Sequence, residues 1–223
     1  MDFATLDNQI APVDQEACRQ AKANWDAIAK PLGSLGVLED DVIKIAGLIG
    51  TPDVRLDNRR VYVMCADNGV VEEGVTQTGQ DVTAVVASNI SRDETSVCNM
   101  ARLANAKVIA VNMGCVYEAQ GALDRQIAPQ TGNFTKGPAM TPEQAAQAVQ
   151  TGIDLVTQSK ADGVQIICTG EMGIGNTTTS SAVSRSTNLT PTTPSTCSPS
   201  WAALTSPPWR VCSSAARSTA PPL

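Results

Sequence analysis

The sequence predicts an α/β domain: a parallel sheet with helices on both faces. Three observations carry this. The runs Val61–Cys65, KVIAVNMGC and VQIICTG are apolar throughout rather than alternating, as strands covered on both faces are. Helical stretches lie between them, which parallel strands require as crossovers. Polar, glycine-bearing segments then leave the strand ends: ADNGVVEEGV, the stretch after NMGC, and GEMGIGNTT. In open parallel sheets, ligands sit beyond the carboxyl ends of the strands.

In chain order, residues 13–30 read as a helix, with Ala17, Ala21, Trp25 and Ile28 at helical spacing and Pro31 as its stop. PLGSLG is a turn, and Glu39–Ile49 resumes the period until GTPD breaks it. After the first strand and its loop, DVTAVVASNI and ETSVCNMARLANA predict two helices. The second strand and an irregular TGNFTKGPAM segment follow. TPEQAAQAVQTGIDLVTQSKA is then the clearest helix, with Thr141 as N-cap and Pro142 at the first helical position. From Ser184 onward Ser, Thr and Pro make up more than half of the residues and no acid occurs. Composition alone reads this as a disordered tail. Its abrupt onset inside an expected helix is what a reading-frame shift in a GC-rich gene produces. The expected organisation is a helical segment over 1–50, an incomplete α/β core over 51–183 and the tail over 184–223.

The net charge of -6, with basic residues scattered, argues against nucleic acid as a partner. Seven cysteines, an odd number without a CxxC pair, suit reduced, buried thiols in the cytoplasm. Histidine is absent, so no metal site is expected and no Ser/His or Cys/His couple can form. The acidic N-terminus has no long apolar stretch, so neither signal peptide nor membrane span is expected.

GEMGIGNTT is neither a Walker loop, since no GK[ST] follows, nor a dinucleotide fingerprint, since Thr178 stands where Gly or Ala permits close helix packing. A strand-to-helix turn rich in glycine and hydroxyls is still a competent anion site. The same spacing also fits an ordinary turn capped by Asn176. Glu171 could likewise be a solvated turn residue; beside an anion it suggests a partner offering a proton or positive charge. Asp67 and Asn68 could form a simple Asn-Gly turn. Glu72 and Glu73 read as a solvated pair, and KPLGSLGVLED as a helix corner.

Taken together, Lys30-Pro31 with GSLGVLE, MCADNGVVEEGV followed by VT, TGNFTKGPAM and GEMGIGNTT, in this order, closely resemble the nicotinate-nucleotide–dimethylbenzimidazole phosphoribosyltransferase family of cobalamin lower-ligand assembly. The resemblance runs from about residue 10 to Val183. It implies a Rossmann-like core, a smaller domain drawn from the two chain ends, and a homodimer. It implies no cofactor. The substrates would be nicotinate mononucleotide and a benzimidazole-type base. Glu171 matches the family's loop glutamate, an accessory carboxylate in the benzimidazole pocket. Met172 would pack on the flat ring, while Gly173, Ile174, Gly175, Asn176, Thr177 and Thr178 would hold phosphate and ribose. Asp67 and Asn68 join the substrate-binding set, Asn68 standing where many members have histidine. Thr78 falls where the family often has a serine near the base, and Val86 where some members have a glutamine. Family members continue further, with another phosphate-contacting glycine segment and the principal catalytic glutamate, neither of which is found here. The alternatives are an inactive or nucleotide-binding fragment and a sibling transferase using another base or a phenol.

Overall fold

The computed structural model describes residues 11–186, in two compact units that divide at Leu56/Asp57. The first contains helices α1 (Gln15–Asp26) and α2 (Val37–Ile49). Asp14 caps α1, its carboxylate accepting from the N–H groups of Glu16 and Ala17 at 2.9 and 3.0 Å. α1 ends four residues earlier than its apolar spacing predicts. Ala27–Lys30 instead form tight turns, and Lys30 Nζ reaches Glu39 Oε1 at 2.7 Å, with the Leu35 N–H on the same oxygen. Both charged side chains are largely buried, and Lys30 holds Glu39 below the usual carboxylate range. Lys30 also lies over the Trp25 ring. KPLGSLGVLE is therefore a helix corner closed by a sequestered ion pair. α2 begins at Val37, two residues before its apolar period, from a left-handed Gly36 (φ 57).

The second unit is the α/β core. Its elements are β1 (Arg59–Ala66), a 3-10 turn (Gly69–Glu73), α3 (Asp81–Ser91), α4 (Ser96–Leu103), β2 (Ala106–Gly114), β3 (Leu123–Asp124), α5 (Pro142–Ala161), β4 (Ile166–Met172) and α6 (Asn176–Ser186). The sheet order is β3-β2-β1-β4 and every pairing is parallel. The three expected strands are present. β3 is an addition, two residues pairing Val111 with Leu123 and Asn112 with Asp124.

The parallel register splits the side chains of β1 between two cores. Val63 and Cys65 join Ala87 and Ile90 of α3 and Cys98 of α4 on one face. Tyr62 and Met64 join Val111, Met113 and α5 residues Ala148 and Leu155 on the other. Helices therefore cover both faces, as the apolar strands require. β4 departs from this reading at one point. Its middle residues Cys168 and Thr169 are exposed, because β4 pairs only with β1 among the described residues. Cys65, Cys98 and Cys115 are buried thiols as expected, whereas Cys168 is not.

α5 starts as its sequence predicts. Thr141 Oγ1 accepts from the Gln144 N–H at 3.2 Å, and Gln144 Oε1 accepts from the Thr141 N–H at 2.9 Å, closing a capping box before Pro142. Thr141→Ala removes half of that box and should cost about 1 kcal/mol, read as faster amide exchange confined to the first turn of α5. α6 runs to Ser186, past the expected end of ordered core at Val183. The sequence beyond it, with the expected tail and frame shift, lies outside the described residues.

Candidate functional site

The carboxyl ends of β1 and β4 and the loop at 131–136 meet, so three segments that read as separate motifs form one structure. β1 ends in Asp67-Asn68-Gly69. The Asp67 N–H donates to the Gly114 carbonyl at 2.9 Å, and its own carbonyl accepts from the Thr131 N–H at 3.1 Å. The Gly69 N–H donates to Thr131 Oγ1 at 3.2 Å. A Cβ on Gly69 would lie inside the Thr131–Asn133 backbone, which is why glycine is required there.

Outside this turn, Glu72 and Glu73 are exposed but not simply solvated. Glu73 Oε1 accepts from Asn133 Nδ2 at 2.6 Å and Thr135 Oγ1 at 3.1 Å, and Lys136 Nζ bonds Glu72 Oε2 at 2.8 Å. These contacts hold both carboxyls below their usual range. They fasten the 131–136 segment over the turn.

The glycine loop rests on the same turn. A Cβ on Gly173 would collide with the Ala66 carbonyl oxygen and approach Asn68 Nδ2. Gly175 adopts φ +89 against Asn68, Val70 and Val71. The glycines thus permit close approach of loop to turn. Asn68 is buried, and both polar atoms of its side chain are engaged, one by the loop and one by the first turn of α6. Nδ2 donates to the Ile174 carbonyl at 3.2 Å, and Oδ1 accepts from Thr179 Oγ1 at 2.9 Å. The Ile174 N–H donates to Thr83 Oγ1 of α3 at 3.1 Å.

Glu171, next to last in β4, is half-buried. Burial pushes its carboxyl above the ordinary value near 4.5, against the pull of Asn176, whose Nδ2 donates to Oε2 at 2.5 Å. Asn176 is the first residue of α6, not its cap; its side chain spans back to the glutamate. The N–H groups of Thr177 and Thr178 belong to the open first turn of α6, where the helix dipole favours an anion. A carboxylate of raised basicity therefore stands beside a helix amino end whose dipole favours negative charge.

The remaining expected residues are placed less directly. Met172 is half-buried and packs against the core that holds Val63 and Cys65, because strand alternation sets it on the α3/α4 face. Val86 packs on the same core. Thr78 is exposed on the loop before α3 and makes no hydrogen bond to the 170–179 loop among the described residues. Asp67 is fully buried. Oδ2 accepts from the Val116 N–H at 2.9 Å, while Oδ1 has no hydrogen-bond partner among the described residues. Burial raises its pKa, opposed by the Thr83 hydroxyl and the Val116 N–H. Sequence reasoning missed Thr83, Asn133 and Thr179; the one signal for Thr83 was a hydroxyl set directly before the apolar run AVVA. A separate cleft of about 720 Å³ lies at the amino ends of β1 and β2, the opposite side of the sheet. Its arginines are engaged, Arg102 by Asp93 at 2.6 Å and Arg59 by the Ala104 carbonyl at 2.6 Å.

A profile of the DBI_PRT phosphoribosyltransferase family matches residues 10–200. The chain belongs to this family. The match extends past Val183, where the motif resemblance ends. The chain is 42% identical over 185 residues to the nicotinate-nucleotide–dimethylbenzimidazole phosphoribosyltransferase of Ruminiclostridium cellulolyticum, covering 82% of this chain and 53% of that protein. It is 41% identical over 186 residues to the enzyme of the same name from Acetivibrio thermocellus, with the same coverage of 82% and 53%. The crystal structure of CobT from Thermus thermophilus superposes with a TM-score of 0.72 at 35% identity, covering 78% of this chain and 53% of that one. The chain thus spans about half the length of the curated relatives it matches. The phosphoribosyltransferase family and the parallel α/β fold expected from the motifs are both borne out.

Proposed function

We propose that this phosphoribosyltransferase chain contributes the donor loop and an accessory carboxylate for transfer of the phosphoribosyl group of nicotinate mononucleotide to 5,6-dimethylbenzimidazole. The observation that carries the reading is Glu171: a half-buried carboxylate of raised pKa, tethered by Asn176 at the amino end of α6. The phosphate sits on the open amides of Thr177 and Thr178 and on the hydroxyls of that turn. One benzimidazole nitrogen attacks the anomeric carbon. The bond to nicotinate breaks with its electron pair going to the pyridinium nitrogen, which becomes neutral and needs no acid. The proton on the other benzimidazole nitrogen passes to a carboxylate, which strengthens the nucleophile as positive charge develops. The products are α-ribazole 5′-phosphate and nicotinate, with inversion.

Asp67, Asn68, Ile174 and Gly175 serve this site by shaping the loop, and Gly173 and Met172 by seating it on β1 and its core. Thr78 lies on the loop that would approach the base. The 1–50 segment is part of a smaller domain and 51–183 belongs to the core, and the enzyme works in the cytoplasm as a homodimer in cobalamin nucleotide-loop assembly. No helix among the described residues is long and apolar enough to cross a membrane.

Release of nicotinate from nicotinate mononucleotide by the 223-residue chain, dependent on 5,6-dimethylbenzimidazole, tests the reading. Binding of the nucleotide without release would leave the second reading, a nucleotide-binding module. Absence of both binding and release would sink both.

A further inference from the structure

We infer that Thr83 and Asn68 are positioning residues which together clamp the Ile174 peptide groups and hold the glycine loop in its anion-receiving form before a ligand arrives; this rests on the reading that the loop takes the donor's phosphate. Ile174 is held from both sides. Its N–H donates to Thr83 Oγ1 at 3.1 Å and its carbonyl accepts from Asn68 Nδ2 at 3.2 Å. Two successive peptide planes of the loop are thereby fixed, one by a helix and one by the turn after β1. Asn68 is itself held, its Oδ1 accepting from Thr179 Oγ1 at 2.9 Å, so the clamp reaches the first turn of α6. Thr83, Asn68 and Thr179 are 0%, 6% and 4% exposed. None of them is an open ligand contact, and each acts through the loop.

The physical need is clear from the loop's composition. A segment with glycine at both 173 and 175 has a wide choice of backbone conformations. If it were ordered only by ligand, that ordering would be subtracted from the binding free energy. Hydrogen bonds from outside the segment order it beforehand. They join residues 91 and 106 positions apart. Neither bond belongs to a helix or strand ladder, so losing one leaves the sheet intact while loosening the loop.

Thr83→Val keeps the volume and removes the acceptor. The expected result for the full chain is about tenfold weaker binding of nicotinate mononucleotide, with faster amide exchange at 173–178 and unchanged exchange in β1 and β2. Thr83→Ser should restore both. Should the valine variant fail to fold, Thr179→Val removes the donor to Asn68 and should give a smaller change of the same kind. Wild-type affinity and wild-type loop exchange in these variants would overturn the inference. If the unsubstituted chain binds no nicotinate mononucleotide, the functional reading falls, and exchange alone decides the clamp. A loosened loop in Thr83→Val, restored by Thr83→Ser, sustains it; an unchanged loop overturns it.

Discussion

Gly173→Ala will unseat the glycine loop and lower the stability of the 57–186 unit by about 3 kcal/mol or more, the upper end of overpacking costs. The added methyl has nowhere to go. It would sit on the Ala66 carbonyl oxygen, with Asn68 Nδ2 2.9 Å and Glu171 Oε1 3.1 Å away. The first is backbone at the carboxyl end of β1, where Ala66 pairs with Gly114 of β2 just past a register shift at Cys65/Ala66. Relief therefore requires the loop to lift, which would break the two Ile174 hydrogen bonds as well. Two controls separate this cause from a general intolerance of substitution. Gly137→Ala, with open space around the new carbon and no positive φ, should be close to neutral. Gly163→Ala has equal space but φ +69, and should cost about 1–2 kcal/mol from backbone conformation alone. Urea unfolding followed by amide exchange in β1 and β4 reads all three. A Gly173→Ala midpoint equal to that of Gly137→Ala would show that the loop does not rest on the turn.

The glycines show what sequence can and cannot reveal. That Gly173 and Gly175 mark a special turn is legible from spacing, and so is the parallel sheet, because doubly covered strands must be apolar without alternation. The purpose of the glycines is not. It depends on the turn after β1, more than a hundred residues earlier, and no local pattern encodes that contact. Thr83 is hidden for the same reason, since a threonine within DVTAVVASNI shows only a β-branched residue in a helix. The apolar spacing overruns the end of α1 because Ala27–Lys30 continue a helical pattern, while the ion pair with Glu39 decides where the chain turns. β3 has two residues and no period to detect. Thr141, by contrast, is legible because a capping box is complete within four consecutive residues. Local chemistry can be read from the sequence, and convergence of distant loops cannot. The candidate site is mostly convergence.

Glu171→Gln should separate the catalytic value of the buried carboxylate from its structural cost, moving activity and stability in opposite directions. Turnover, read as benzimidazole-dependent nicotinate release, should fall by about 10²-fold, as when a positioned proton acceptor is lost. Glutamine can still accept from Asn176, so the tether survives and the change isolates the proton. Stability should rise, with a definite pH dependence. Burial raises the native pKa above the ordinary 4.5, so the folded state holds this proton more tightly than the unfolded chain does. Between those two values the native protein binds more protons, and wild-type stability falls as pH rises through the window. Below it, both states are protonated and the substitution should make little difference. Above it, the full cost of a buried charge is present in the wild type and absent in the glutamine variant. Urea midpoints for the two proteins should therefore converge in acid and separate towards neutral pH, with the variant higher. Midpoints that separate towards neutral pH with the variant lower would mean instead that the carboxylate is stabilised by its surroundings. Unchanged turnover would remove Glu171 from proton transfer. A chain that binds 5,6-dimethylbenzimidazole without turnover offers the same test at equilibrium. The wild type's affinity for the base should change across the glutamate's titration, and the variant's should lack that change. Such a result would place the proton of the incoming base on the carboxylate even where the chemical step is not completed.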